Sequence, residues 1–263
     1  MSNDQKQGKC HICGKVGKLS YEHIPPASAY NKASRKVYNA VDIVQGGGLP
    51  WEIEGVRNKI LQRGIGAYTL CPKCNSFIGS KYARDFINGC KQTMESGQVE
   101  IMKDTQRARV KLYKINPLSL AKQILAMFAS VNGPEFFETN PELRNLILDE
   151  NSYGLDPSKY ALFVYLYRGG MGRNSGISVI MTTDGMMTIS SELTTVPFGF
   201  VLVLKPNRDR LENCGTEITG LFNDYEPEVI DDFMFEMPMY EQNGPMPLDF
   251  RTKEDIMKQM SSE

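Results

Sequence analysis

Apolar positions change rhythm near residue 110. Before it, apolar runs are short and broken by Gly, Pro and charge; beyond it they lengthen, first at helical spacing and then in strand-like runs. In the first half, residues 1–9 read as a disordered polar tail. The stretch Lys18 to Ile24 alternates and predicts a short strand, which Pro25 and Pro26 end because neither can donate to a ladder. Val37 to Val44 predicts a second strand and Gly46-Gly47-Gly48 a turn. Trp51 to Arg63 reads as a short helix or an irregular excursion. A helix is expected to start at Asn75 or Ser76, both good N-caps, and to run to Glu95. Its apolar face is Phe77, Ile78, Tyr82, Phe86 and Ile87, with Gly79 and Gly89 as weak points; strands are expected over 99–115.

The second half predicts a helix opened by Pro117 and running over Leu118 to Val131, with Leu120, Ile124, Leu125, Met127 and Phe128 inward. A second helix is expected over Glu142 to Asp149. Strand-like runs follow at 161–167, 176–182, 186–190 and 199–205, with Asp184-Gly185 as a hairpin signal. The Met- and Pro-rich stretch 236–250 reads as irregular, and no internal repeat is present. The pattern predicts an α+β chain divided into residues 1–110 and 111–263, the second part built on a small antiparallel sheet with helices.

Composition sharpens this picture in one respect. The net charge of −1 conceals a split: residues 1–110 carry 17 basic and 9 acidic side chains (+8), and residues 111–263 carry 13 and 22 (−9). A polyanion would therefore bind the first part. The second part is left for oligomerisation or for a regulatory partner. No apolar run reaches the roughly 20 residues that cross a bilayer. The polar start has no apolar leader, which predicts a cytoplasmic protein without membrane attachment.

The cysteines carry the first chemical signal. Four of the six form two Cys-x-x-Cys knuckles, Cys10/Cys13 and Cys71/Cys74, while Cys90 and Cys214 stand alone. Each knuckle places two thiolates on one side of a turn, and two knuckles complete a tetrahedron with no open position. The expected ion is structural Zn²⁺; iron uses the same ligands. His11, inside the first knuckle, reads as a solvent-facing turn residue.

Between the knuckles lies Glu22-His23-Ile24-Pro25-Pro26, and Asn75 follows the last cysteine. A neutral His can take a proton from water near pH 7. A carboxylate and a carboxamide oxygen are hard donors suited to Mg²⁺ or Mn²⁺. In a regular strand Glu22 and His23 point to opposite faces, a difficulty unless the strand twists or ends there. This pattern, closing in Leu70-Cys71-Pro72-Lys73-Cys74-Asn75 and Gly79, resembles the zinc-bracketed HNH (ββα-metal) endonucleases over residues 8–95. The resemblance implies a β-hairpin followed by a helix and clamped by zinc. It implies His23 as general base, Glu22 and Asn75 as holders of a catalytic divalent ion, and DNA as the default substrate, with no residue excluding RNA. The sequence departs from the pattern in three places. Glu22 stands where Asp is usual, Gly66 where Asn is common, and Ile78 where a third catalytic group often sits. Lys81, Tyr82 and Asp85 are candidates to replace that group. A catalytically degenerate nucleic-acid-binding module is the alternative. Lys15, Lys18, Lys32, Arg35, Lys36, Arg57, Lys59, Arg63, Lys73, Lys81 and Arg84 supply phosphate-binding charge. Tyr30, Tyr38 and Trp51 are stacking candidates, Trp51 fitting packing better. Gly169-Gly170-Met171-Gly172-Arg173 matches no phosphate-loop spacing and reads as a hairpin loop.

Overall fold

The computed structural model describes residues 6–46, 48–95, 97–103, 105–181 and 187–262. The chain is mixed α and β. The first part contains β1 (Gln7–Lys9), β2 (Val16–Lys18), β3 (Ser20–His23), β4 (Arg35–Tyr38), α1 (Ala40–Gln45), β5 (Asn58–Leu61), β6 (Gly66–Leu70), α2 (Pro72–Lys81) and α3 (Ala83–Glu95). Next come β7 (Val99–Ile101), β8 (Arg107–Ile115), α4 (Pro117–Val131), α5 (Phe136–Thr139) and α6 (Pro141–Leu148). The chain continues with β9 (Tyr160–Gly170), β10 (Asn174–Met181), β11 (Met187–Thr194), β12 (Phe198–Leu204), β13 (Thr216–Glu217), β14 (Asp231–Gln242) and α7 (Lys253–Ser262). Among the described residues no helix is long and apolar enough to cross a membrane.

The sheet is larger than expected. Eight strands run in the order β10-β11-β12-β9-β14-β8-β7, with β13 on β9. All pairs are antiparallel except β14 with β9. The stretch expected to be irregular from 236 therefore includes the second half of the longest strand. β14 pairs with β8 through Pro238 and then turns to β9 from Met239. The proline falls where the strand changes partner. β8 spans position 110, so the expected division falls inside a strand, and one core cluster draws on residues from Cys10 to Met237.

β9 and β12 are near-continuous apolar runs because both faces of the sheet are covered. Leu162, Val164, Phe200 and Leu202 face the helices; Ala161, Phe163, Tyr165, Val201 and Val203 face a smaller cluster closed by Leu248 and Phe250. β9 and β10 are not neighbours, so Gly169–Arg173 is a crossover between separated strands and not a hairpin loop. β10 and β11 do pair; the hairpin signal Asp184-Gly185 lies outside the described residues.

α4 is the axis of the helical layer. Asn116 caps it, accepting from the Ser119 N–H at 2.8 Å, and Pro117 opens it, as its fixed φ and missing donor permit. Thirteen of its fifteen residues are buried, and its last turn meets His11 at the Ala129 carbonyl and Glu22 at the Ser130 hydroxyl. Two other expectations change. The helix expected from Asn75 to Glu95 is two helices, starting at Pro72 with Cys71 as N-cap and breaking at Tyr82. Val37 to Val44 is the end of β4 followed by α1, and Trp51 to Arg63 contains β5 rather than a helix. Within the expected tail, Gln7–Lys9 pairs with β2.

Candidate functional site

The two knuckles meet. The four thiol sulfurs of Cys10, Cys13, Cys71 and Cys74 all lie within 4.8 Å of one another, with Cys13 and Cys71 at 3.9 Å. Ligands about 2.3 Å from one tetrahedral ion have this spacing, so the set fits a metal ion such as Zn²⁺. Local backbone builds each corner. In the first knuckle the Gly14 N–H donates to the Cys10 carbonyl and the Cys10 N–H to the Lys15 carbonyl, both at 2.9 Å. In the second, Cys74 sits in the first turn of α2. The donors compete for protons: a hydrogen bond with Cys74 pulls the Cys10 thiol down to about 4, and the same bond raises Cys74. A bound cation would remove that competition by holding every sulfur as thiolate. Burial pushes Cys214 up to about 12 and raises Cys90 as well; both stand apart from the cluster as inert buried thiols. His11 is not solvent-facing. Its Nδ1 donates to the Ala129 carbonyl at 3.0 Å, fastening the knuckle to the end of α4.

β3 and β6 pair antiparallel, with Glu22 opposite Ala67 and His23 opposite Gly66, and α2 follows β6 directly. Asn75 stitches the helix to the strand: its amide donates to Ser20 Oγ at 3.0 Å and to the Tyr21 carbonyl at 3.3 Å. His23 lies at the open end of β3, half-buried, with the Tyr21 ring edge-on at 5.1 Å. Its Nε2 is 3.1 Å from the Arg63 carbonyl.

Asn31 builds the ground under that contact. Its amide donates to the carbonyls of Pro25 and Ile65, and its side-chain oxygen accepts from the Ile65 N–H, each at 2.7 Å. Gly64 lies beneath it with φ at +82°, and a Cβ there would overlap the Asn31 carbonyl. Asn31 was not among the residues singled out in the sequence. An Asn six residues past Pro25 is an ordinary turn residue until the partner loop at 63–65 is known. Gly66 has its own explanation: the Tyr21 ring and the Glu22 carbonyl occupy the space a side chain would need.

The structure does not bring Glu22 together with His23 and Asn75. The carboxyl points to the other face of β3, is 5% exposed, and accepts from Ser130 Oγ of α4 at 2.6 Å; Thr69 Oγ1 donates to that serine at 2.9 Å. Burial raises its pKa to about 7, against the pull of the Ser130 hydrogen bond. As arranged, Glu22 does not fit the role of ligand to an ion beside His23. Among the described residues, the four cysteines are the only group of three or more His, Cys, Asp or Glu side chains placed to share a metal.

The candidates for a third catalytic group also turn away. Ile78 is buried. Lys81 pairs with Glu150, the Tyr82 hydroxyl donates to the Ile147 carbonyl, and Asp85 accepts from the Asn116 N–H at the head of α4. Of the stacking candidates, Tyr30 donates to Glu95, Tyr38 is half-buried, and Trp51 lies under the Lys253 ammonium at 5.3 Å. The eleven basic residues are all exposed. Comparison with family models, curated proteins and solved structures finds no match for this chain.

Proposed function

We propose that this chain is a zinc-clamped endonuclease of the HNH kind, hydrolysing phosphodiester bonds in DNA with His23 as general base. The observation that carries the reading is the contact between His23 Nε2 and the Arg63 carbonyl. A carbonyl only accepts, so in the neutral ring Nε2 keeps the proton and Nδ1 keeps the lone pair. Nδ1 has no partner among the described residues, and the imidazole is half-exposed. Nδ1 is thus placed to take a proton from a water attacking phosphorus. Asn31 fixes Ile65 and packs on Gly64 in the loop that carries the carbonyl, Asn75 fixes the strand, and an ion on the four cysteines would hold knuckle, hairpin and helix together. A divalent ion would supply charge for the phosphate. Because Glu22 faces the other way, no step is assigned to an ion held by it.

The alternative is a nucleic-acid-binding module without catalysis. The observation that favours it is the loss of a third group: Ile78, Lys81, Tyr82 and Asp85 all face packing or ion pairs. A supercoiled-plasmid assay with Mg²⁺, Mn²⁺ or EDTA separates the two. The expected result is nicking or cutting by the wild type with added Mg²⁺ or Mn²⁺, reduced by about 10²–10⁴ in His23→Ala, the usual span for a general base. Equal cutting by His23→Ala would remove the base assignment. Salt-sensitive binding without cutting under any ion would select the alternative.

A further inference from the structure

The loop between His23 and Cys71 carries a second strand pair that the core does not use. β4 and β5 pair through Arg35↔Leu61, Lys36↔Ile60, Val37↔Lys59 and Tyr38↔Asn58. Arg35, Lys36, Asn58, Lys59 and Ile60 are exposed, and Val37, Tyr38 and Leu61 are only half-buried, so neither face is covered. A two-stranded ribbon without a packed face is marginal alone in water. Its charge is equally unmet. Between residues 24 and 70 stand six cations, Lys32, Arg35, Lys36, Arg57, Lys59 and Arg63, against the acids Asp42, Glu52 and Glu54. None of the six forms an ion pair among the described residues, whereas Lys9, Lys81 and Arg107 each find a carboxylate. β5 then runs directly into Arg63, whose carbonyl holds His23.

We propose that the β4–β5 ribbon grips double-stranded DNA and presents one strand to His23. This rests on the reading of His23 given above. Two features select a duplex. Directly opposed residues share a face, so Arg35 and Lys59 lie on one face of the ribbon and Lys36 on the other. Charge on both faces suits a rod flanked by two phosphate backbones, and a two-stranded ribbon fits a major groove about 12 Å wide. Single-strand binding, in contrast, uses exposed aromatic platforms. The ribbon carries a single aromatic, Tyr38, which is not a run of platforms, and Trp51 beyond it has the Lys253 ammonium over its ring.

The test is fluorescence anisotropy of the full chain on a short labelled duplex across a salt series. Log affinity should fall linearly with log salt, and Lys36→Ala/Lys59→Ala should lower the slope by about 2, near 0.9 per lost phosphate contact. An unchanged slope, in a variant with wild-type metal content and unfolding midpoint, overturns the proposal. Should the double variant melt early, Lys36→Gln alone should lower the slope by about 1, and no change there overturns it equally. Unlabelled single strand of the same sequence and phosphatidylserine vesicles serve as competitors; displacement by either as readily as by duplex overturns the assignment to duplex DNA. The two readings fail separately. Ribbon-dependent duplex binding without cleavage leaves the grip and removes the enzyme. Cleavage with an unaltered slope does the reverse.

Discussion

At Glu22, burial pushes the pKa up and the Ser130 hydroxyl pulls it down; burial is the larger effect and leaves the value at about 7. In the unfolded chain the carboxyl ionises in the ordinary range, near 4.3. Between that value and about 7 the folded protein keeps a proton that the unfolded chain has released, so rising pH favours unfolding. The contribution is fully present below the ordinary carboxylate value and is lost as pH climbs through the folded one, with a size on the order of 4 kcal/mol. Thermal unfolding measured between about pH 5 and pH 8 should show the wild type losing stability relative to Glu22→Gln, which has no proton to lose. Parallel curves for the two proteins would show that this carboxyl is not buried as described. The alternation of β3 already puts Glu22 and His23 on opposite faces. What covers the Glu22 face was not legible, because Ser130 lies 108 residues away and nothing local marks it as a partner.

The elements of the site were legible where local chemistry governs them. The two knuckles, the strand ended by Pro25 and the helix opened by Pro117 all rest on short-range rules of metal spacing and proline geometry. Errors came where a distant contact sets the element. The break between α2 and α3 falls at Tyr82, whose hydroxyl is drawn to the Ile147 carbonyl. The part of β14 from 236 onward reads as irregular because of its Met and Pro content, yet it pairs with β8 and then β9. At this scale two outcomes are expected. Cys13→Ser should lower metal content below one ion per chain and reduce the unfolding temperature, since structural zinc contributes on the order of 10 kcal/mol in small sites. Retention of a full ion by this variant would show that the four sulfurs are not the ligands. Asn31→Ala should leave the metal in place but free the loop that carries the Arg63 carbonyl. If the proposed nuclease activity is present, plasmid cleavage should fall while metal content and unfolding temperature stay near wild type; loss of metal together with cleavage would instead make Asn31 a general structural residue.

Over the whole molecule, one buried ion pair holds the last segment to the sheet. Arg173, in the crossover, is 6% exposed and Glu192, on β11, is fully buried. The guanidinium makes two hydrogen bonds of 3.1 Å to the carboxylate and reaches the Gly244 and Asp249 carbonyls at 3.1 and 2.6 Å. Tyr165, Gln242 and the Leu248 N–H complete the shell around Glu192, and the Phe250 ring lies 5.1 Å from the guanidinium carbon. The Gly-rich crossover makes this possible. Gly170, at φ +95°, passes so close to Gln242 that a Cβ would strike its carbonyl. In sequence these residues are scattered from 165 to 250, so only the folded sheet joins them. Removing one member leaves the other charged and buried, which costs about 3–5 kcal/mol, whereas replacing both with apolar groups is often near neutral. Arg173→Met and Glu192→Leu should therefore each lower stability in urea by about that amount, and the double variant should lose less than the sum. Limited proteolysis should find the segment from 243 onward cut sooner in the single variants, because the backbone bonds from Arg173 to residues 244 and 249 are what tie it down. Additive losses, with no change in cleavage after residue 243, would mean that Phe250 packing against Tyr165 and Tyr240 anchors the segment without the charges.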